Sequence, residues 1–292
     1  MQNQQIQGIS IIIPCYNESP EVLLQTISEI KEGFTSKELD NYEIIVVNDG
    51  SKKFSYNINE TNVRFISHNI NRGYGAALKT GIRNATNNYI GITDADGTYP
   101  NRLFPEMLAL CHDYDMVVGA RPWNQISAIR KIPKYLLTVV ASFLANYKIL
   151  DLNSGIRVFR KEMAMEFWGL YPNGFSFTST ITMGCITNGY TLKYIPVEYK
   201  IREGKSHIHP IKDTINFFSL ITRLTMYFNP RRVFSPLSFI ILLIAIVRGI
   251  RDYYFGGSLG GVCIILFFMA FQIFFFGLLA EIVVKTRSYS SK

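Results

Sequence analysis

Thr93-Asp94-Ala95-Asp96-Gly97-Thr98-Tyr99-Pro100 directly follows the apolar stretch Tyr89-Ile90-Gly91-Ile92. The apolar residues read as a buried strand, and the acidic loop begins where that strand ends. Two carboxylates one residue apart at a strand end form a hard-oxygen site. Such a site suits Mg²⁺ or Mn²⁺ held jointly with a substrate diphosphate. An isolated Asp-x-Asp is more often a pair of solvated loop acids, so the reading depends on what else the same half of the chain brings to that end of the strand.

Upstream, Ile9-Ser10-Ile11-Ile12-Ile13 is a β-branched run closed by Pro14, as in a buried parallel strand. Asn17-Glu18-Ser19-Pro20-Glu21 then opens a helix, with Ser19 as cap and Pro20 at its first position, running to about Glu32. A second strand, Tyr42 to Val47, is closed by Asn48-Asp49-Gly50-Ser51. Val63 to Ile66 is a third strand, Gly75 to Asn84 a helix, Tyr89 to Thr93 the fourth strand and Met116 to Gly119 the fifth. Alternating strands and helices predict an α/β fold of Rossmann-like type with a mostly parallel sheet. Ligands of such sheets bind beyond the carboxyl ends of the strands. Pro14-Cys15-Tyr16-Asn17-Glu18, Asn48-Asp49-Gly50-Ser51 and the Asp94/Asp96 loop all fall on that rim.

Asn71-Arg72-Gly73-Tyr74-Gly75-Ala76 has two readings. The glycines could let backbone approach an anion at a helix N-terminus, or could simply make a tight turn. It is not a dinucleotide fingerprint, which would follow the first strand. Arg121, Arg130, Lys131 and Lys134 follow the fifth strand; they are either a solvated charge run or a grip for an anionic second substrate. His207 and His209 lack a third ligand nearby and fit an interface better than a metal site. Cys15, Cys111, Cys185 and Cys263 show no metal-ligand spacing and read as reduced packing residues.

The polarity of the 292-residue chain is uneven. Tyr253 to Ala280 carries no charge and reaches about 40 Å as a helix, beyond the roughly 30 Å hydrocarbon core. Val233 to Val247 is also uncharged but reaches only about 22 Å. It spans if Arg248 and Arg251 snorkel, with Tyr253 and Tyr254 as anchors; otherwise it is re-entrant or interfacial. Glu281, near the end of the second span, could pair with Lys285 or touch a lipid substrate. The apolar spacing of Phe217, Leu220, Ile221, Leu224 and Phe228 predicts an amphipathic helix, lying on the membrane or packed on the soluble domain. The net charge of +8 sits largely beside the apolar runs. It therefore points to a positive-inside membrane pattern and not to nucleic acid. The expected organisation is a catalytic domain over 1–208, an interfacial helix over 209–229 and a transmembrane hairpin over 230–292, with spans at about 233–254 and 258–284. The N-terminus has no basic segment and does not read as a signal peptide.

Taken in order, these motifs, with Val118-Gly119-Ala120-Arg121, Asp151-Leu152-Asn153-Ser154-Gly155-Ile156-Arg157 and Arg202-Glu203-Gly204-Lys205-Ser206, resemble the family 2 glycosyltransferases of GT-A fold. The resemblance is closest to dolichol-phosphate mannose synthases and related polyprenyl-phosphate glycosyltransferases, over Ile9 to about Lys212. The two-helix tail resembles the bacterial glucosyl-lipid branch. It implies that Pro14, Tyr16, Glu18, Asp49, Gly73 and Gly75 line the donor pocket, and that Asp94 and Asp96 hold metal and diphosphate. Arg121, Arg130, Lys131 and Lys134 would grip a lipid phosphate, and Arg202 and Lys205 the diphosphate or that phosphate. Asp94 or Asp151 could assist orientation in catalysis. Asn48 replaces the acid usual in the family's Asp-Asp-Gly-Ser loop, and Thr98 stands where many relatives carry a metal-binding Gln. The Gln-x-x-Arg-Trp signature of processive polysaccharide synthases is missing around Trp123 and Trp168.

The implied activity is inverting transfer of one sugar from a nucleotide-sugar donor, GDP-mannose or a UDP-sugar, to a polyprenyl phosphate. It would take place on the cytoplasmic face of a cell membrane. The hairpin also offers a surface through which copies of the chain could associate. Two other readings are transfer to a glycan or another lipid, and a non-catalytic membrane scaffold or flippase subunit that kept the fold.

Overall fold

The computed structural model describes residues 8–52, 61–122, 128–174, 176–199, 219–220, 222–256 and 258–290, excluding the side chains of 128–134 and 287–290. The chain divides into two units, residues 1–139 with 148–213 and residues 140–147 with 214–292.

The first unit is built on a seven-stranded sheet of order β3-β2-β1-β4-β6-β5-β7. The strands are β1 (Ile9–Cys15), β2 (Tyr42–Asn48), β3 (Val63–Ser67), β4 (Tyr89–Ile92), β5 (Met116–Ala120), β6 (Arg157–Arg160) and β7 (Leu192–Pro196). Only β6 runs against its neighbours, β4 and β5. The helices are α1 (Pro20–Thr35), α2 (Tyr74–Asn84), α3 (Phe104–Leu110), α4 (Ala128–Ala145), α5 (Lys161–Glu166) and α6 (Phe177–Thr187). Ser19 caps α1 by accepting from the Val22 N–H at 3.3 Å, and Pro20 sits in its first turn. Leu23, Ile27, Ile30 and Phe34 of α1 pack with Ile9, Ile11 and Ile13 on one sheet face. Ile12, Ile45 and Val47 face the other way, against Leu78 and Ile82 of α2 and Ile181 of α6. Period-2 alternation along β1 thus feeds two apolar layers.

Three boundaries differ from the sequence expectation. β1 continues through Pro14 to Cys15, paired with Val47 and Asn48. Ile12 points its carbonyl towards Thr93, so Pro14 faces the same side, beyond the end of β4, where no ladder donor is required. Of the four cations after β5, Arg121 directly follows the strand, while residues 130, 131 and 134 lie within α4. β6 and β7 complete the sheet beyond the five strands expected.

In the second unit, helices Arg231–Gly256 and Gly261–Ser290 form an antiparallel hairpin. Residues 231–256 and 261–286 are each long and apolar enough to cross a membrane. The first helix is longer than its uncharged run because Arg248 and Asp252 pair at 3.2 Å one turn apart, so both charges stay helical. Small and polar groups join the two helices. Ser238 donates to the Ala270 carbonyl at 2.8 Å and Cys263 to that of Ala245 at 3.3 Å. Phe255, Ile265, Phe268 and Val283 point outward, as a lipid-facing surface requires. Glu281 pairs with Lys285 at 2.9 Å and with Arg231 of the other helix at 3.6 Å. Of the expected amphipathic helix, residues 222–228 are helical with Leu224 buried; its first half lies outside the described residues.

Candidate active site

The reversal at β6 decides what reaches the rim. β1, β2, β4 and β5 all end there, and β6, being antiparallel, begins there. The loop 151–156 is thereby delivered beside Asp94 (after β4) and Arg121 (after β5). The rim also lies at the topological switch, since the chain passes from β1 out to β3 and returns to pair β4 on the other side of β1.

Both acids of the Asp-x-Asp loop are held. Asp94 Oδ1 accepts from the Tyr74 hydroxyl at 3.0 Å. Gly155 lies against the same carboxylate so closely that a Cβ there would collide with Asp94 Oδ2. The Gly155 N–H donates to the Tyr99 hydroxyl oxygen at 2.8 Å. Burial raises both phenol pKa values well above the ordinary range, and the Asp94 charge adds to this, so both stay protonated. Asp96 Oδ1 accepts from the Thr98 hydroxyl at 2.7 Å and its N–H at 3.2 Å. Thr98 therefore supports Asp96 from behind, an Asx-type turn that fixes the carboxylate.

Asp151 and Arg121 meet as a forked ion pair. Arg121 Nε donates to Asp151 Oδ2 at 2.7 Å, its terminal nitrogen to Oδ1 at 3.0 Å, and its backbone N–H to Oδ2 at 3.2 Å. Asp151 is fully buried, and the Arg121 guanidinium lies 5.3 Å over the Tyr199 ring. Burial disfavours the Arg121 charge, but Asp151 outweighs it and the guanidinium pKa is raised. Removing one partner leaves a buried uncompensated charge. Arg121→Met is therefore expected to destabilise the domain by about 3–5 kcal/mol, and Arg121→Met with Asp151→Asn by much less than the sum of the two. Thermal unfolding of the four variants in a double-mutant cycle checks this; strict additivity would dissolve the pair.

Among the described residues Arg157 is the largest fully buried side chain. It donates to the Ser154 carbonyl at 2.6 Å, the Thr178 carbonyl at 3.0 Å and the Thr182 hydroxyl at 2.9 Å. Burial lowers its pKa, while the nearby Tyr74, Tyr194 and Asp151 push it back up. It clamps the 151–156 loop to α6, and the Ser179 hydroxyl, donating to Asn153 Oδ1, adds a second tie. In the sequence Arg157 is only the last residue of the Asp151–Arg157 motif, with no role assigned, although an arginine just before the apolar Val158-Phe159 is an unusual opening for a strand.

On the other flank, Asn48 closes the turn after β2: Ser51 N–H donates to Asn48 Oδ1 at 2.9 Å. The Ser51 hydroxyl donates to Asn17 Oδ1 at 3.0 Å, tying the β1 and β2 loops together. Asp49 is buried and accepts from Arg72 N–H at 2.9 Å, Gly73 N–H at 2.7 Å and His68 Nδ1 at 2.7 Å. His68 Nε2 lies 2.9 Å from the Thr80 hydroxyl. Gly73, at φ 101°, starts α2 in a backbone conformation that favours glycine. The close approach its bareness allows is taken by the carbonyl of Asn173, and that at Gly75 by Pro172. Gly75 and Ala76 N–H groups donate to the Gly174 and Asn173 carbonyls at 3.1 and 2.8 Å. The glycine loop is thus a packed turn whose N–H groups are engaged within the chain. Pro14 is buried, Glu18 half-buried and Tyr16 exposed at the same rim. Arg202, Lys205, His207 and His209 lie outside the described residues, as do the side chains of Arg130, Lys131 and Lys134.

Among the described residues no group of three or more His, Cys, Asp or Glu side chains is placed to hold a metal ion. The rim thus offers a pair of carboxylates and no all-protein cage. That donor set fits a hard cation which takes its remaining oxygens from substrate phosphates and water.

A model of glycosyl transferase family 2 matches residues 10–168, the segment that carries both aspartates and the β2 loop. The chain belongs to glycosyl transferase family 2. Residues 229–285 match a second model, the GtrB C-terminal hairpin. The undecaprenyl-phosphate 4-deoxy-4-formamido-L-arabinose transferase of Yersinia enterocolitica is 25% identical, over 97% of this chain and 90% of that protein. The dolichyl-phosphate hexose transferase of Haloferax volcanii is 23% identical, over 72% of this chain and 90% of that protein. The chain spans about half the length, 51% and 50%, of two other curated relatives. Glucosyl-3-phosphoglycerate synthase from Mycobacterium tuberculosis, solved with Mn²⁺, UDP and phosphoglyceric acid, shares the fold at a TM-score of 0.55 and 14% identity, covering 75% of this chain and 78% of that one.

Proposed function

We propose that this glycosyltransferase moves one sugar, with inversion, from a nucleotide-sugar donor to a polyprenyl phosphate at a membrane surface. The observation that carries the reading is the coexistence in one chain of a paired-carboxylate rim, Asp94 and Asp96, and a membrane-length hairpin. Relatives named for undecaprenyl-phosphate and dolichyl-phosphate transfer support the acceptor class.

Asp94 and Asp96 would hold Mg²⁺ or Mn²⁺ together with the donor diphosphate; bound there, the cation offsets charge on the departing nucleotide. Pro14, Tyr16 and Glu18 would border the donor, with Asp49 and the glycine loop shaping that flank. The acceptor phosphate is already ionised near neutral pH. Its oxygen attacks the anomeric carbon as the bond to the nucleotide diphosphate breaks, so no strong general base is required. Arg130, Lys131 and Lys134, with Arg202 and Lys205, would supply cations to the two phosphate groups. Both helix ends near Glu281 carry cations, Arg231 and Lys285, which supports placing the catalytic domain on the cytoplasmic face.

Native membranes carrying the full chain, given radiolabelled UDP- and GDP-sugars with undecaprenyl or dolichyl phosphate, should yield label in a lipid bearing one sugar. No labelled lipid with any donor would overturn the reading. Arg130→Ala should raise KM for the acceptor, or lower turnover, by roughly 10- to 150-fold, the range of one charge-assisted contact, with donor affinity little changed. Loss of donor affinity alone would move Arg130 to the nucleotide side.

A further inference from the structure

Asp94 is fixed from two directions by residues that come from elsewhere in the chain. Tyr74 opens α2, and its hydroxyl donates to Asp94 Oδ1 at 3.0 Å. The phenol is itself held in place: Gly73 N–H, immediately before it, donates to Asp49 Oδ2 at 2.7 Å, and the α2 entrance is pinned by the Asn173 and Gly174 carbonyls. At the other carboxylate oxygen, Gly155 packs so closely that only its missing Cβ leaves room for Asp94 Oδ2. A carboxylate free to rotate must lose that freedom when it binds a cation or a phosphate-bearing ligand; one already locked does not.

We propose that Tyr74 is a positioning residue that locks the Asp94 carboxylate in its working rotamer and couples the Asp49-held loop to the acidic rim. It touches neither donor nor acceptor in this role. It acts through Asp94, and the proposal rests on the reading of Asp94 and Asp96 as the cation and diphosphate site.

Tyr74→Phe keeps the ring and removes only the hydroxyl, so the packing of α2 is preserved. Three measurements on the full-length protein in detergent or nanodiscs test it: Mn²⁺ affinity by electron paramagnetic resonance in the presence of UDP and, separately, GDP; kcat and KM with whichever donor labels lipid in the radiolabelled panel; and the melting temperature. Loss of a hydrogen bond to a charged group should weaken Mn²⁺ binding and lower kcat by roughly 10-fold each, with KM for the polyprenyl phosphate unchanged. A lowered melting temperature with Mn²⁺ affinity and kcat within twofold of wild type would make Tyr74 merely structural and overturn the proposal. Asp96→Asn, measured in parallel, separates the two ideas. Unchanged Mn²⁺ affinity in Asp96→Asn would remove the acidic-rim reading itself, and the Tyr74 proposal with it. Weakened binding in Asp96→Asn with wild-type behaviour in Tyr74→Phe would overturn the Tyr74 proposal alone.

Discussion

Asp96→Asn is expected to lower sugar transfer by about 10³-fold or more while leaving the domain folded. The structure explains why asparagine is the informative replacement. Asp96 Oδ1 accepts both Thr98 bonds, and an amide oxygen can accept them equally well, so the turn survives. What is lost is the negative charge on a partly buried rim position. Several kcal/mol of charge stabilisation at a departing diphosphate depends on that charge under the proposed reaction, and each 1.36 kcal/mol is about tenfold in rate. The core layers behind the sheet do not contain Asp96, so the melting temperature should stay within a few degrees. Transfer assays before and after chelation, together with a thermal melt, check both halves. Substantial turnover in Asp96→Asn, or in chelated wild type, would refute the metal assignment.

The parts of this fold that were legible in the sequence share a physical cause. β1, β2 and β4 are interior, buried strands, so they appear as β-branched or apolar runs bounded by turn chemistry. β6 escaped notice because it is only Arg157-Val158-Phe159-Arg160, with a charge at each end. β7 escaped because Leu192-Lys193-Tyr194-Ile195-Pro196 is an edge strand and mixes polar with apolar residues. The placement of Asp94 and Asp96 on the rim was legible from their position directly after a buried strand. Their supports were not. Tyr74 reaches Asp94 across 20 positions of sequence and Ser51 reaches Asn17 across 34. No local pattern encodes such pairings; they arise because β1 lies between β2 and β4 in the sheet. The glycine loop illustrates the remaining ambiguity. Glycines that invite a ligand and glycines that admit the chain's own backbone leave the same trace in a sequence, and here Pro172 and Asn173 take the space.

Arg157→Ala should produce the largest stability loss of any single change in the catalytic domain, about 4 kcal/mol or more. Two effects add. Truncation opens a cavity where a fully buried side chain stood, and large-to-alanine changes in cores typically lose about 2–5 kcal/mol. It also strips the Ser154 carbonyl of its 2.6 Å donor, and a buried unsatisfied group adds about 1–3 kcal/mol. The Thr178 carbonyl is protected from this second effect, because the Thr182 hydroxyl still donates to it at 2.8 Å. One gain works the other way: the desolvated guanidinium, with no carboxylate within ion-pair reach among the described residues, is itself expensive to bury. Arg157→Met separates these contributions. It refills most of the volume and removes the buried charge, leaving chiefly the orphaned Ser154 carbonyl, so it should recover at least half of the stability lost in the alanine variant. Activity should not recover with it, because methionine cannot hold the 151–156 loop, and with it Asp151 and Gly155, against α6. Melting curves and turnover for wild type and both variants give the comparison. At roughly 2–4 °C per kcal/mol for a domain of this size, the alanine variant should melt about 8–16 °C lower. An alanine variant within 2 °C of wild type would show that the clamp contributes little to the fold. A methionine variant with full turnover would show that Asp151 and Gly155 find their places without it.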